Sequence, residues 1–189
     1  MIGIILGTRP EIIKLFPLIN LLEKKKTNFS IIHTGQHYSE RLSNLFINQF
    51  KIPKQKLINL NVGSGTHGEQ TATMMMKIDK YLSKNKNLKV LIVYGDTNSA
   101  LAGSIVGSKI HKLKIIHLEA GLRSFDKDMP EEINRRLIDH CSDILFCPTE
   151  ISKKYLLREG IKKEKIYCVG NTIVDTVFSR IVQKKLKNK

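Results

Sequence analysis

Tryptophan is absent from the 189 residues, and aromatic residues of all kinds make up only 6% of them. Cysteine occurs three times, at Cys141, Cys147 and Cys168, an odd number with no C-x-x-C spacing. That excludes a disulfide scaffold and a zinc finger, and fits a reducing, cytoplasmic setting. Long apolar runs are missing too. Val90–Tyr94 is typical of the longest, five residues of strand length, so no membrane partner or span is expected. Met1–Leu6 is apolar from the start and lacks a basic leader, which argues against a signal peptide. Acidic residues are scarce: 17 Asp and Glu stand against 32 Lys and Arg, a formal charge of +15. Such an excess invites a nucleic-acid reading. Of the lysine clusters only Lys77–Lys89 contains an aromatic residue, Tyr81, however, and no RNA-binding signature is present. The lysines cluster at Lys24–Lys26, Lys51–Lys56, Lys77–Lys89, Lys162–Lys165 and Lys184–Lys189, at apparent helix ends and turns, as solvated charge does. Nucleic acid is therefore not the expected partner.

What is there is an ordinary globular composition, 41% hydrophobic, arranged as short β-branched runs alternating with helical stretches. Strands are expected at Ile2–Leu6, Ser30–Thr34, Leu57–Leu60, Val90–Tyr94, Leu113–Leu118, Ile144–Cys147 and Ile166–Val169. Helices are expected at Pro10–Lys25, Ser39–Phe50, Glu69–Leu82, Asn98–Ile110, Glu131–Cys141 and Glu150–Glu159. A last helix, Thr172–Lys189, leaves the sheet. Met74–Met76 should pack one face of its helix. This alternation predicts an α/β fold, a doubly wound, mostly parallel Rossmann-like sheet with helices on both faces.

In such sheets ligands bind beyond the carboxyl ends of the strands. Four of those ends carry chemistry: Gly7-Thr8-Arg9-Pro10-Glu11, Thr34-Gly35-Gln36-His37, Gly95-Asp96-Thr97-Asn98 and His117–Arg123. The first is not G-x-G-x-x-G, so a dinucleotide fingerprint is absent. Pro10 suits the first turn of a helix, whose free N–H groups, beside Arg9, would make an anion pocket, with Lys14 as a second cation one turn on. Alternatively, Arg9 and Lys14 only neutralise Glu11 and the surface. Asp96 could be an N-cap, but Thr97 and Asn98 can serve instead, leaving its carboxylate free. Glu119 stands beside Gly121, and Glu131 opens a helix, where a carboxylate also suits the helix dipole. Glu131 with Arg135, and Glu132 with Arg136, are spaced as surface ion pairs. Brought together, these carboxylates and an arginine would make acid–base equipment. Histidines show no metal-binding spacing, and no metal or cofactor is expected. Cys141 and Cys147 read as buried thiols.

Seven segments coincide, in order, with one known family: Gly7–Lys14, Thr34–His37, Gly95–Thr97, His117–Arg123, Pro130–Arg135, Pro148–Glu150 and Gly170–Thr172. Over essentially its whole length the chain resembles the non-hydrolysing UDP-N-acetylglucosamine 2-epimerases. The resemblance implies the N-terminal half of a GT-B-like architecture, in which two Rossmann-like domains face each other across a cleft. It implies interconversion of UDP-N-acetylglucosamine (UDP-GlcNAc) and UDP-N-acetylmannosamine (UDP-ManNAc) by elimination and re-addition of UDP. Catalytic roles fall by resemblance on Asp96, Glu119 and Glu131, and substrate contacts on Arg9, Lys14, Asp96, Glu119 and Arg123. Gln36 and His37 match part of a regulatory UDP-GlcNAc site of bacterial members, although their neighbours Tyr38 and Ser39 differ. On this comparison residues 1–170 form the N-terminal domain and 171–189 begin an interdomain connection. The second, UDP-binding domain is absent. The expected partners are a UDP-sugar, a separate C-terminal chain and a second copy in a homodimer. A sugar-nucleotide-binding module without catalysis, or an epimerase of a related diacetamido uronic acid UDP-sugar, would fit the same motifs.

Overall fold

A computed structural model of the chain describes residues 1–35, 47–50 and 52–187. Seven strands form one sheet: β1 (Ile2–Leu6), β2 (Phe29–His33), β3 (Leu57–Asn59), β4 (Val90–Tyr94), β5 (Lys114–Leu118), β6 (Ile144–Cys147) and β7 (Ile166–Cys168). Their order is β3-β2-β1-β4-β5-β6-β7, and every pairing is parallel. The expected sheet was mostly parallel; this one is wholly so. The order reverses between β1 and β4. There the chain leaves in opposite directions, opening a crevice above the carboxyl ends of both strands.

The alternation of side chains along each strand builds two cores. Ile5, Ile32, Leu91 and Val93 face one side, under α2 (His67–Lys84) and α3 (Asn98–Ile105). Ile4, Leu6, Ile31 and Ile92 face the other, under α1 (Arg9–Lys24). A smaller cluster of Leu145, Cys147, Leu156 and Ile166 lies beneath α5 (Glu150–Arg158). Burial on both faces explains the unbroken apolar runs. Helix α3 passes into a π-helical turn, Val106–Ile110, where a continuous α-helix was expected. Gly103 lets α3 sit directly on the sheet, since a Cβ there would meet Ile5 Cδ1 at 2.3 Å. On α2 the apolar stripe is Met74, Ile78 and Leu82. Met76, by contrast, is 73% exposed, because three consecutive residues of a helix cannot share a face.

Pro17 lies inside α1 and has no N–H to donate to the Ile13 carbonyl one turn back. Thr176, on the C-terminal helix α6 (Thr172–Lys187), supplies the missing donor, with Oγ1 2.8 Å from that oxygen. Rather than simply leaving the sheet, α6 begins by docking on α1. Most of the helix expected at 39–50 lies outside the described residues.

Candidate active site

At the carboxyl end of β1 the chain turns through Gly7 and Thr8 into α1. Glu11 reaches back into this turn. Its Oε2 accepts from the N–H groups of Gly7 at 2.8 Å and Thr8 at 2.7 Å and from the Thr8 hydroxyl at 2.8 Å. Its Oε1 accepts from Thr97 Oγ1 at 2.9 Å, pinning the β1 turn to the β4 turn. This corrects the expected anion pocket: Gly7 and Thr8 already give their N–H groups to a carboxylate of the same chain. The physical reason is a capping box, Thr8-x-x-Glu11, whose glutamate lies one turn from the orphan donors. The spacing was visible in the sequence. Burial drives the Glu11 carboxyl above its ordinary pKa, against the pull of those four donors. Gly7 is required here because a Cβ would fall 2.0 Å from Ser99 Oγ and 2.4 Å from Thr34 Oγ1. Arg9 remains exposed at the mouth of the turn and makes no ion pair among the described residues.

Glu119 follows β5 with a backbone φ of +69°, a left-handed conformation that a non-glycine residue holds only when its surroundings impose it. Those surroundings are specific. Lys14 Nζ donates to Oε2 at 2.8 Å and Oε1 at 3.0 Å, and Asn171 Nδ2 donates to Oε1 at 2.8 Å. The ammonium also sits 5.2 Å above the centre of the Tyr94 ring. Lys14 thus reaches the opening as expected, but as the partner of Glu119. A Cβ on Gly95 would lie 3.6 Å from Glu119 Oε2, so the β4 and β5 turns meet at this carboxylate.

Asp96 is not the N-cap of α3. Thr97 takes that role through a hydrogen bond from Ala100 N–H, and the Asp96 carboxylate pairs with Arg135 of α4 (Pro130–Cys141). Arg135 also holds Glu132 at 3.1 Å, three residues earlier, so the expected Glu131–Arg135 pair is replaced by Glu132–Arg135. Asn134 from the same helix donates to the Asp96 carbonyl at 2.9 Å and to Asn98 Oδ1 at 3.0 Å. Glu131 is half-buried on the first turn of α4 and has no hydrogen-bond or ion-pair partner among the described residues. Its neighbour Glu132 is 1% exposed. Burial alone would raise the Glu132 carboxyl, but hydrogen bonds from Ser124 and Arg136 and the charge of Arg135 outweigh it and hold it low.

Arg123, expected to contact substrate, is placed elsewhere. Its side chain has no exposed surface, with the guanidinium 2.8 Å from Asp139 and its Nε 2.8 Å from Glu159 Oε1. Asp139 in turn holds His117 Nδ1 at 2.7 Å and the Gly121 N–H at 3.2 Å, while His117 Nε2 donates to the Gly95 carbonyl at 2.8 Å. The fold spends Arg123 on bracing the β5 turn from below. Gln36 and His37 lie outside the described residues. Among those residues no group of three or more His, Cys, Asp or Glu is gathered as a metal site would require. Residue-by-residue reading missed Asn171, Tyr94 and Arg135. Asn171 had a signal, a Gly-Asn-Thr cap after a strand, whereas Arg135 looked like half of a surface pair.

A wholly parallel sheet with carboxylates and cations gathered at its switch point defines a Rossmann-like α/β domain with a candidate ligand site at its carboxyl edge. The chain matches a family model described as UDP-N-acetylglucosamine 2-epimerase over residues 20–189. It is 57% identical over 180 residues to a UDP-N-acetylglucosamine 2-epimerase of Methanocaldococcus jannaschii, covering 95% of this chain and 48% of that protein. It is 45% identical over 177 residues to a UDP-2,3-diacetamido-2,3-dideoxy-D-glucuronate 2-epimerase of Pseudomonas aeruginosa, covering 92% of this chain and 49% of that protein. The crystal structure of the Methanocaldococcus jannaschii enzyme with UDP-GlcNAc and UDP superimposes with a TM-score of 0.91, over 97% of this chain and 50% of that one. The chain belongs to the UDP-N-acetylglucosamine 2-epimerase family and spans about half the length of the relatives it matches.

Proposed function

We propose that this chain is the N-terminal half of an enzyme interconverting UDP-GlcNAc and UDP-ManNAc. The observation that carries the reading is the Glu119 carboxylate: left-handed backbone, Lys14 and Asn171 on its oxygens, and the Asp96 turn beside it. The hydrogen at sugar C2 is weakly acidic, because no carbonyl is conjugated to that carbon. A carboxylate removes it as UDP leaves C1: the C2–H electron pair becomes the C1=C2 bond, and the C1–O pair departs on the diphosphate. Returning a proton to the opposite face of C2 while UDP re-adds at C1 completes the epimerisation. No net oxidation occurs, so the chemistry asks for a base, an acid and cationic support. Asp96, Glu119 and Glu131 are the proton-transfer and hydroxyl-contact groups, and exposed Arg9 is the diphosphate contact. Residues 1–170 form the domain and 171–189 lead towards the second half that the matched relatives carry, with homodimerisation through this domain. Three unpaired cysteines and the lack of any membrane-length apolar helix among the described residues support a cytoplasmic setting.

The test mixes the chain with UDP-GlcNAc in D2O, with and without the C-terminal half of a relative, and follows C2 by proton NMR. Little turnover is expected alone. With the second half, UDP-ManNAc should appear carrying deuterium at C2, and Glu119→Gln should lower the rate by about 100-fold or more. Failure of any second half to restore turnover, or full activity in Glu119→Gln, sinks this mechanism. Binding without turnover in every mixture would make the chain a sugar-nucleotide-binding module. Running the diacetamido uronic acid UDP-sugar in parallel decides the substrate.

A further inference from the structure

Asn171 stands where β7 ends and α6 begins, and both lone pairs of its side-chain oxygen are used. Oδ1 accepts from the Ile173 N–H at 3.0 Å, capping α6, and from the Tyr94 hydroxyl at 3.2 Å. Nδ2 donates to Glu119 Oε1 at 2.8 Å. Two donors on the oxygen and a carboxylate facing the nitrogen leave one orientation for the amide. Tyr94 stays a donor throughout the physiological range, since burial, and then the negative charge of Glu119 and Glu11, raise its phenol pKa.

Lys14 alone does not define the plane of the Glu119 carboxylate. An ammonium on a flexible stem is a swivelling point charge that touches both oxygens almost equally. An amide anchored to the backbone at a helix cap supplies a direction. We infer that Asn171 is a positioning residue for Glu119, fixing the rotation of its carboxylate and tying it to the start of α6. This inference rests on reading Glu119 as a proton-transfer group. Oε1 accepts from both Lys14 and Asn171, and Oε2 accepts from Lys14. Any shift of α6, the segment that leads out of this domain, is transmitted directly to this carboxylate.

Two substitutions separate positioning from capping. Asn171→Asp keeps an acceptor for Ile173 and Tyr94 but removes the donor and sets a second carboxylate against Glu119. Asn171→Ala removes cap and donor together. In the chain complemented with a second half, both variants should lose about 10- to 100-fold in kcat. KM should stay within about threefold, because the lost interaction orients a reacting group rather than binding substrate. The alanine variant, which loses the cap, should also unfold at lower temperature. Wild-type kcat in Asn171→Asp overturns the inference, for it would leave Asn171 a cap and nothing more. A second readout needs no turnover: in the chain alone, the Asn171 side-chain amide NMR signal should move in Glu119→Gln. An unmoved signal also overturns the inference. If complementation yields no turnover, the functional reading falls, and the amide signal still decides whether Asn171 holds Glu119.

Discussion

Glu131 and Glu132 are adjacent, both acidic, both in the first turn of α4, and the fold treats them oppositely. Successive residues point about 100° apart around a helix, so one carboxylate turns into the chain and the other stays half-exposed. Glu132 turns inward to Ser124, Arg135 and Arg136, and Glu131 is left without a partner among the described residues. The sequence offers two equivalent i,i+4 pairs, and spacing alone does not choose between them. This choice has a pH signature. Since the Glu132 carboxyl lies below its ordinary value of 4.5 in the folded chain, its contribution is fully present above about pH 4.5. It is lost as pH falls through the folded value, where the native state must take up a proton that the unfolded chain already holds. Urea unfolding between about pH 6 and 3 should show stability falling with acid, and Glu132→Gln should flatten that slope. An unchanged slope would mean that other carboxylates carry the acid response.

At the scale of elements, the sequence makes all seven strands legible to within a residue or two, because each is a short apolar or β-branched run between helical stretches. Helix α1 is legible as well, but its internal Pro17 is not interpretable without its neighbour. Lacking an N–H at that position, α1 leaves the Ile13 carbonyl open, and Thr176 of α6, 3% exposed, fills it. No local pattern connects residues separated by 163 positions. Thr176→Val should leave a buried carbonyl unsatisfied and cost about 1–3 kcal/mol. Pro17→Ala in that background restores an N–H within α1. Thermal unfolding of the single and double variants should therefore show recovery in the double, and simple additivity would place the stabilisation elsewhere.

Across the whole molecule, the charge excess and the candidate site occupy different places. Lys24, Lys84, Lys109 and Arg158 stand in the last turns of their helices, where a cation offsets the helix dipole. In a parallel α/β sheet those turns lead back to the amino ends of the strands, away from the switch point. At the carboxyl edge the cations Lys14, Arg123 and Arg135 are matched by Glu119, Asp139, Glu159, Asp96 and Glu132. A scattered, dipole-compensating surface should not hold a polyanion tightly. Filter binding of duplex DNA across a salt series should give weak retention without a steep slope. Tight binding with a strong salt dependence would instead assign the excess to a nucleic-acid partner.

The sequence by itself determined the seven strands, the helices between them among the described residues, and which strand ends bear the charged side chains. Each of those is written in local periodicity or in residues adjacent along the chain. It also offered Thr97 and Asn98 as caps in place of Asp96, and it set Lys14 and Glu119 on the carboxyl edge of the sheet. The tertiary structure decided which charges meet: Glu11 closing the turn expected to hold an anion, Arg123 buried beneath β5, Arg135 carried to Asp96, and Asn171 laid against Glu119. Whether a charged group is free for a ligand depends on which partner reaches it first. That partner usually comes from another element, at a distance along the chain that no pattern of spacing records.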